Sequence, residues 1–175
     1  MTRILNPSSG GGGTDTVTLT GTQTLTNKTL TDPQIDNNVM CRAYKSGGNQ
    51  ADLANGISTQ VTFASESYDL GGNFTSNAFT APQTGFYRIK TNITFLSVVA
   101  AKLYTVGILV NDAVVSDSYS HSGLAQSLGV FCEYTASITS GHTVKVYATS
   151  YAGVDTVDII QGSQYTWLEV EFIGI

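Results

Sequence analysis

At 175 residues, with 41% hydrophobic and only 12% charged side chains, the chain suits one compact domain plus a short extension. Charged residues usually make up about 25% of a soluble domain, so the surface here must be built from Thr, Ser, Asn, Gln and Gly. A net charge of −5, with its eight Lys and Arg scattered, leaves nothing to neutralise phosphates and argues against a nucleic-acid partner. No apolar run reaches the roughly 18 residues of a spanning helix, so membrane insertion is not expected either.

The first forty residues differ from the rest. Met1-Thr2-Arg3-Ile4-Leu5-Asn6-Pro7 is too short and too polar for a secretory signal. A protein of this kind found outside a cell is expected to leave by lysis or inside a particle. Ser8-Ser9-Gly10-Gly11-Gly12-Gly13 reads as a flexible hinge, and it lacks the Gly-Lys-Ser/Thr ending of a phosphate loop. The Thr-rich stretch that follows favours extended backbone. Its apolar residues, Val17, Leu19, Leu25, Leu30 and Ile35, are too sparse for one copy to bury. Chains wound together, a surface on another protein, or a disordered linker would each account for it. Pro33 argues against a central strand.

From Met40 onward the pattern is all-β. Apolar residues alternate in Gln60-Val61-Thr62-Phe63, from Gly85 to Phe95, from Tyr104 to Val110, from Val130 to Ala136, from Thr143 to Ala148 and from Tyr165 to Ile173. A period of two marks strands with one buried face. Asn55-Gly56, Gly71-Gly72-Asn73, Asn111-Asp112, Ser140-Gly141 and Gln161-Gly162-Ser163 punctuate them as turns. No longer window carries a helical period. Regular short strands of this kind predict a sandwich or jelly roll.

The run Phe95-Leu96-Ser97-Val98-Val99-Ala100-Ala101 is too apolar for an exposed loop of a monomer. Burial at a threefold axis and burial in the chain's own core both explain it. Cys41 and Cys132 are too few for a disulfide scaffold and read as buried free thiols.

The ordered pieces Val61-Thr62-Phe63, Asp69-Leu70-Gly71-Gly72-Asn73-Phe74 and Phe79-Thr80-Ala81-Pro82-Gln83-Thr84-Gly85-Phe86-Tyr87 resemble the signature of the C1q/tumour-necrosis-factor-like domain. Ile138 to Val146 resembles that family's Gly-Asp-x-Val strand entry, with His142 in place of the Asp, and Trp167 to Ile175 resembles its last strand. Phe74 stands where the family has Tyr, and Asn77 stands near its Gly. In this reading Phe79 and Tyr87 point inward from neighbouring strands, Pro82 sets a rigid turn, and Gly85 lets the chain re-enter the sheet. The resemblance implies a ten-stranded antiparallel jelly-roll sandwich over residues 40–175, and a homotrimer. A second element, Thr24-Leu25-Thr26-Asn27-Lys28-Thr29-Leu30-Thr31-Asp32-Pro33-Gln34-Ile35, is similar to one seen in tailed-phage fibre and structural proteins. Together they imply a phage fibre, spike or capsid-decorating protein. Residues 1–39 would anchor it to another virion protein through Ile4, Leu5, Val17, Leu19, Leu25, Leu30 and Ile35. A non-binding trimerisation cap or stabilising decoration protein is the alternative, and a secreted bacterial C1q-like surface protein a further one.

Enzymatic chemistry finds little support. The two histidines, His121 and His142, lie in predicted turns or loops, and no motif selects a carboxylate pair. Glu169 and Glu171 share one strand face and read as solvated. Asp155 and Asp158 flank Val157 in a predicted loop, without the oxygen-rich run of a calcium site. No cofactor is expected. Alternating strand directions place the loops at 97–102, 120–126 and 151–164 at the end far from the anchor, and the loop near 139–142 at the base. Binding residues concentrate on such loops. Tyr119, His121, Tyr151, Asp155 and Gln161 are therefore the candidate contacts to a host-surface glycan or protein.

Overall fold

The computed structural model describes residues 39–175 apart from residues 125, 154 and 155. The anchor candidates Ile4, Leu5, Val17, Leu19, Leu25, Leu30 and Ile35, and the loop candidate Asp155, lie outside the described residues. Thirteen strand segments follow in order: β1 (Met40–Tyr44), β2 (Gln50–Leu53), β3 (Thr59–Gln60), β4 (Ser65–Leu70), β5 (Phe74–Thr75), β6 (Ala78–Thr80), β7 (Gly85–Leu96), β8 (Leu103–Val110), β9 (Ala113–His121), β10 (Ser127–Ile138), β11 (Thr143–Ser150), β12 (Val157–Ile159) and β13 (Trp167–Gly174).

These form two antiparallel sheets packed face to face. In the first, β7 is central: β10 runs along one side of it, and β13 and β12 lie in line on the other, with β1 and then β4 beyond β13 and β2 beyond β12. The second runs β5-β6-β11-β8-β9, with β3 also paired to β11. The all-β sandwich expected from the alternation is thus present. The segments exceed ten because short pieces such as β3, β5 and β12, of two or three residues each, count separately.

Alternation explains which face each strand buries. Tyr87, Ile89, Ile93 and Phe95 of β7, with Leu168 and Val170 of β13, point inward from the first sheet. Tyr104, Val106 and Ile108 of β8, with Val144 and Val146 of β11, meet them from the second. Each large side chain buried this way contributes about 1.5–3 kcal/mol. Phe79 and Tyr87 are both fully buried, with ring centroids 6.0 Å apart. They come from opposite sheets, β6 and β7, and not from neighbouring strands as the motif suggested. The inward phenol needs a partner, and its hydroxyl donates to the Gln83 carbonyl at 2.8 Å.

Gly85 is required for close approach. A Cβ there would lie 2.5 Å from Phe172 Cε2 and 2.6 Å from the Gly174 carbonyl oxygen. Asn77, near the family's glycine, has φ +64°, a left-handed conformation that Asn tolerates better than most residues. Its side-chain oxygen accepts the Phe63 amide at 2.8 Å and fixes the preceding segment.

Sequence and structure differ at β4 and β9, which no apolar alternation announced. In β9 the half-buried positions include Ser116, Ser118 and Ser120. An edge strand can hold its place by backbone pairing to β8 with hardly any apolar inner face. The apolar run at 95–101 resolves as intrachain core. Phe95 and Val98 are buried and Val99 packs against the same cluster, which replaces the threefold-axis reading for those residues.

Candidate functional site

Register places the two ends of the sandwich. Met40 pairs with Glu171, and Glu171 with Arg88 near the start of β7, so the chain enters and leaves the domain at one end. The turn at 139–142 lies there too, where Ala81 N donates to His142 O at 2.9 Å and Gly141 N to Ala81 O at 2.8 Å. The segment at 97–102 and that at 122–126 sit together at the opposite end. Ala101 N donates to Ser122 O at 2.7 Å, Ser122 N to Lys102 O at 3.0 Å, and Val98 N to Gln126 O at 3.2 Å. The Ser122 hydroxyl donates to the Leu124 carbonyl. Beneath them, the fully buried Tyr104 accepts the Val99 amide at 2.7 Å through its hydroxyl oxygen. Core packing on β8 thereby holds a loop whose Ser97 and Ala101 sit at positive φ.

The candidate contacts separate into two groups. Tyr119 and His121 are not loop residues. They belong to β9, opposite Thr105 and Leu103. Tyr151 follows β11, and its amide donates to the Leu103 carbonyl at 2.9 Å. Tyr119, His121 and Tyr151 are all exposed and share the outer side of the second sheet near the far end. Gln161 stands apart. Its side-chain oxygen accepts Gly48 N at 2.7 Å and its amide donates to Asn49 Oδ1 at 3.0 Å, so it shapes the 46–49 turn. The 151–164 segment is not one loop either, since β12 interrupts it. Asp158 lies in that strand, and its carboxylate accepts the Asp52 amide at 3.1 Å.

The outer face of the first sheet was missed by sequence reasoning. Phe131 of β10 and Trp167 of β13 both pair with Asn92 of β7, and their rings approach to 6.3 Å over it. Arg42 of β1 lies 4.4 Å above the Trp167 ring and donates to Glu169 Oε2 at 2.9 Å and to the Ser163 carbonyl at 3.2 Å. Tyr68 donates to the same Glu169 oxygen at 3.2 Å. Burial first, and then the Glu169 carboxylate, raises the Tyr68 pKa. The paired residues Arg42, Glu169, Lys90 and Glu133 form a row of alternating charge across four strands. Arg88 pairs with Glu171 at 3.1 Å in the row below. Phe86 and Phe131 each remain 48% exposed on this face, which is unusual for large apolar side chains on a monomer's sheet. The signal was present in the sequence as aromatics at the polar positions of alternating strands.

Chemical groups elsewhere are quiet. Cys41 and Cys132 are buried free thiols, as expected. Burial, aided by Asp69 and Glu66, pushes the Cys41 thiol up to about 12, which keeps it protonated and unreactive. No group of three or more His, Cys, Asp or Glu stands ready to hold a metal among the described residues. Glu169 and Glu171 are engaged by arginines instead of converging on a shared space.

With the two sheets and their order in place, the chain can be set beside known proteins. It is similar to the structure of Eiger, a tumour necrosis factor from S. frugiperda, with a TM-score of 0.58. The fold is of the tumour-necrosis-factor type. The match covers 78% of this chain and 93% of that one at 10% sequence identity, so it speaks for the TNF-like fold alone. No family model matches the sequence. No curated protein does so either.

Proposed function

We propose that the chain is a virion structural protein of a tailed bacteriophage: a homotrimeric fibre, spike or capsid-decorating protein. Residues 40–175 form its head and project outward for attachment to a host surface, while residues 1–39 anchor it to another virion protein. The observation that carries the trimer is the outer face of the first sheet. Aromatic side chains and Arg are enriched at protein interfaces, and alternating charge lets identical copies meet without net repulsion. The Phe131–Trp167 pair and the Arg42-Glu169-Lys90-Glu133 row supply both features. Entry and exit of the chain at one end support the division of labour, because they leave the far end free to face outward. The phage context rests on the Leu25 to Ile35 element.

Light scattering on the purified chain tests the assembly, with a trimer expected and a stable monomer sinking it. Gold labelling of particles tests the location. Deleting residues 1–39 should abolish incorporation into particles while the head stays folded. An unchanged particle load would contradict the anchor. Particles that carry the protein yet adhere no better than particles without it would leave a cap, not an attachment head.

A further inference from the structure

The outer face of the second sheet carries a groove of about 620 Å³, inside the range of about 300–1,000 Å³ typical of small-molecule sites. Register explains its shape. Tyr147 of β11, Gly107 of β8 and Asp117 of β9 form one cross-strand row, and Tyr147 and Asp117 both line the groove. Strands lie about 4.8 Å apart, so Tyr147 and Asp117 stand about 10 Å apart at the backbone, with no side chain between them. Next along the sheet come Thr105 and Thr149, and Tyr151 also lines the groove.

Gly107 is not explained by the fold. Its φ is not among the positive values. A Cβ there would meet only ordinary contacts, at 3.8 Å from Leu109 Cδ1 and from the Ser116 carbonyl oxygen. The neighbouring bulge lies between Ile108 and Leu109, beyond it. Glycine within an internal strand weakens the sheet and often marks close approach of a ligand.

We infer that this groove binds an uncharged saccharide segment, with Gly107 as its floor, Tyr147 and Tyr151 as aromatic walls and Asp117 as the acceptor for sugar hydroxyls. The inference rests on the attachment reading and supplies its ligand class. β8 is paired to β11 on one side and to β9 on the other, so the floor offers no free backbone to an added peptide strand. Lys145, a cation beside the groove, is held by Asp112 at 2.7 Å, and among the described residues no Lys or Arg lines the groove, which disfavours a phosphate, sulfate or sialic acid. Asp117 has no ion-pair partner among the described residues, and an ionised carboxylate is an acceptor only. A sugar ring matches this set. Its C–H face lies on a tyrosine, and its hydroxyls donate to Asp117 and exchange hydrogen bonds with Thr105.

The test uses the full chain on an array of neutral hexose and N-acetylhexosamine oligosaccharides beside sialylated and sulfated ones, followed by calorimetry on the best neutral member. Neutral members should bind. Asp117→Asn, near-isosteric on an exposed site, and Gly107→Val, which fills the floor, should each weaken binding by about ten- to hundredfold, the loss of one charge-assisted hydrogen bond or its equivalent. Leu124→Ser at the far end should leave it unchanged. Binding confined to anionic members, binding equal in D117N and wild type, or binding to none overturns the inference. Host-cell adhesion measured alongside separates the two readings. Adhesion that survives in both groove variants overturns the groove and keeps attachment, whereas wild-type protein that does not adhere overturns attachment itself.

Discussion

Phe131 and Trp167 stand 6.3 Å apart, centroid to centroid, on the outer face of the first sheet, although they belong to strands that never pair with each other. Asn92 lies between them on β7 and is small enough to let the rings approach over it. Its amide donates to the Tyr165 carbonyl at 2.6 Å, so it is tied down beneath the aromatic pair.

If this pair is central to assembly, Phe131→Glu should convert the proposed trimer to a monomer. The side chain is half exposed within one chain, so the isolated fold should lose only about 1–2 kcal/mol and stay folded. Light scattering reads the mass and circular dichroism the retained sheet. A Phe131→Glu protein that remains trimeric would place the interface elsewhere.

Gly85→Ala probes a crowded contact. The new methyl would overlap Phe172 and the Gly174 carbonyl, and the backbone cannot retreat from the sheet cheaply. Overpacking of this kind costs about 1–3 kcal/mol. Urea denaturation should show that loss, and an unchanged midpoint would mean that the last strand moves aside freely.

Tyr104→Phe removes the acceptor for the Val99 amide while leaving the core ring in place. The half-buried amide then lacks its partner, at a cost of about 0.5–1.5 kcal/mol. Hydrogen exchange should speed up at Val99 and its loop and stay slow in β8. Uniform acceleration through the sandwich would show that the hydroxyl supports the whole fold, not the loop.

Cys41 sets an alkaline limit. Its folded pKa, about 12, lies above that of the unfolded thiol. Below the unfolded value both states are protonated and pH has no effect. Above it only the unfolded chain ionises, so stability falls as pH rises toward about 12. Tyr68 and Tyr87, also raised, act in the same direction. Cys41→Ala should flatten the decline in a denaturation series from neutral to alkaline pH. The native thiol should also resist alkylation until the protein is unfolded, and rapid native labelling would contradict its burial.

Much of the fold was legible in the residues themselves. Alternation in β7, β8, β10, β11 and β13 follows from a period of two with one buried face, and the turns at Asn55-Gly56, Asn111-Asp112 and Ser140-Gly141 follow from residues suited to tight turns. Alternating strand direction was enough to put the segments at 97–102 and 122–126 at one end and the turn at 139–142 at the other. The serines of β9 carried no such signal, because an edge strand is held by backbone pairing, which side-chain pattern does not encode. For the same reason Tyr119 and His121 looked like loop residues.

Which residues meet across strands was decided only by tertiary structure. The neighbours of Asn92 are Phe131 and Trp167, and those of Gly107 are Tyr147 and Asp117, each pair distant in sequence. Periodicity states that a side chain points outward. Register, set by the summed packing of two buried faces, states what stands beside it. The aromatic face and the groove exist at that second level, so the sequence by itself determined a two-faced β chain, and the pairing of its strands decided which outward side chains stand together.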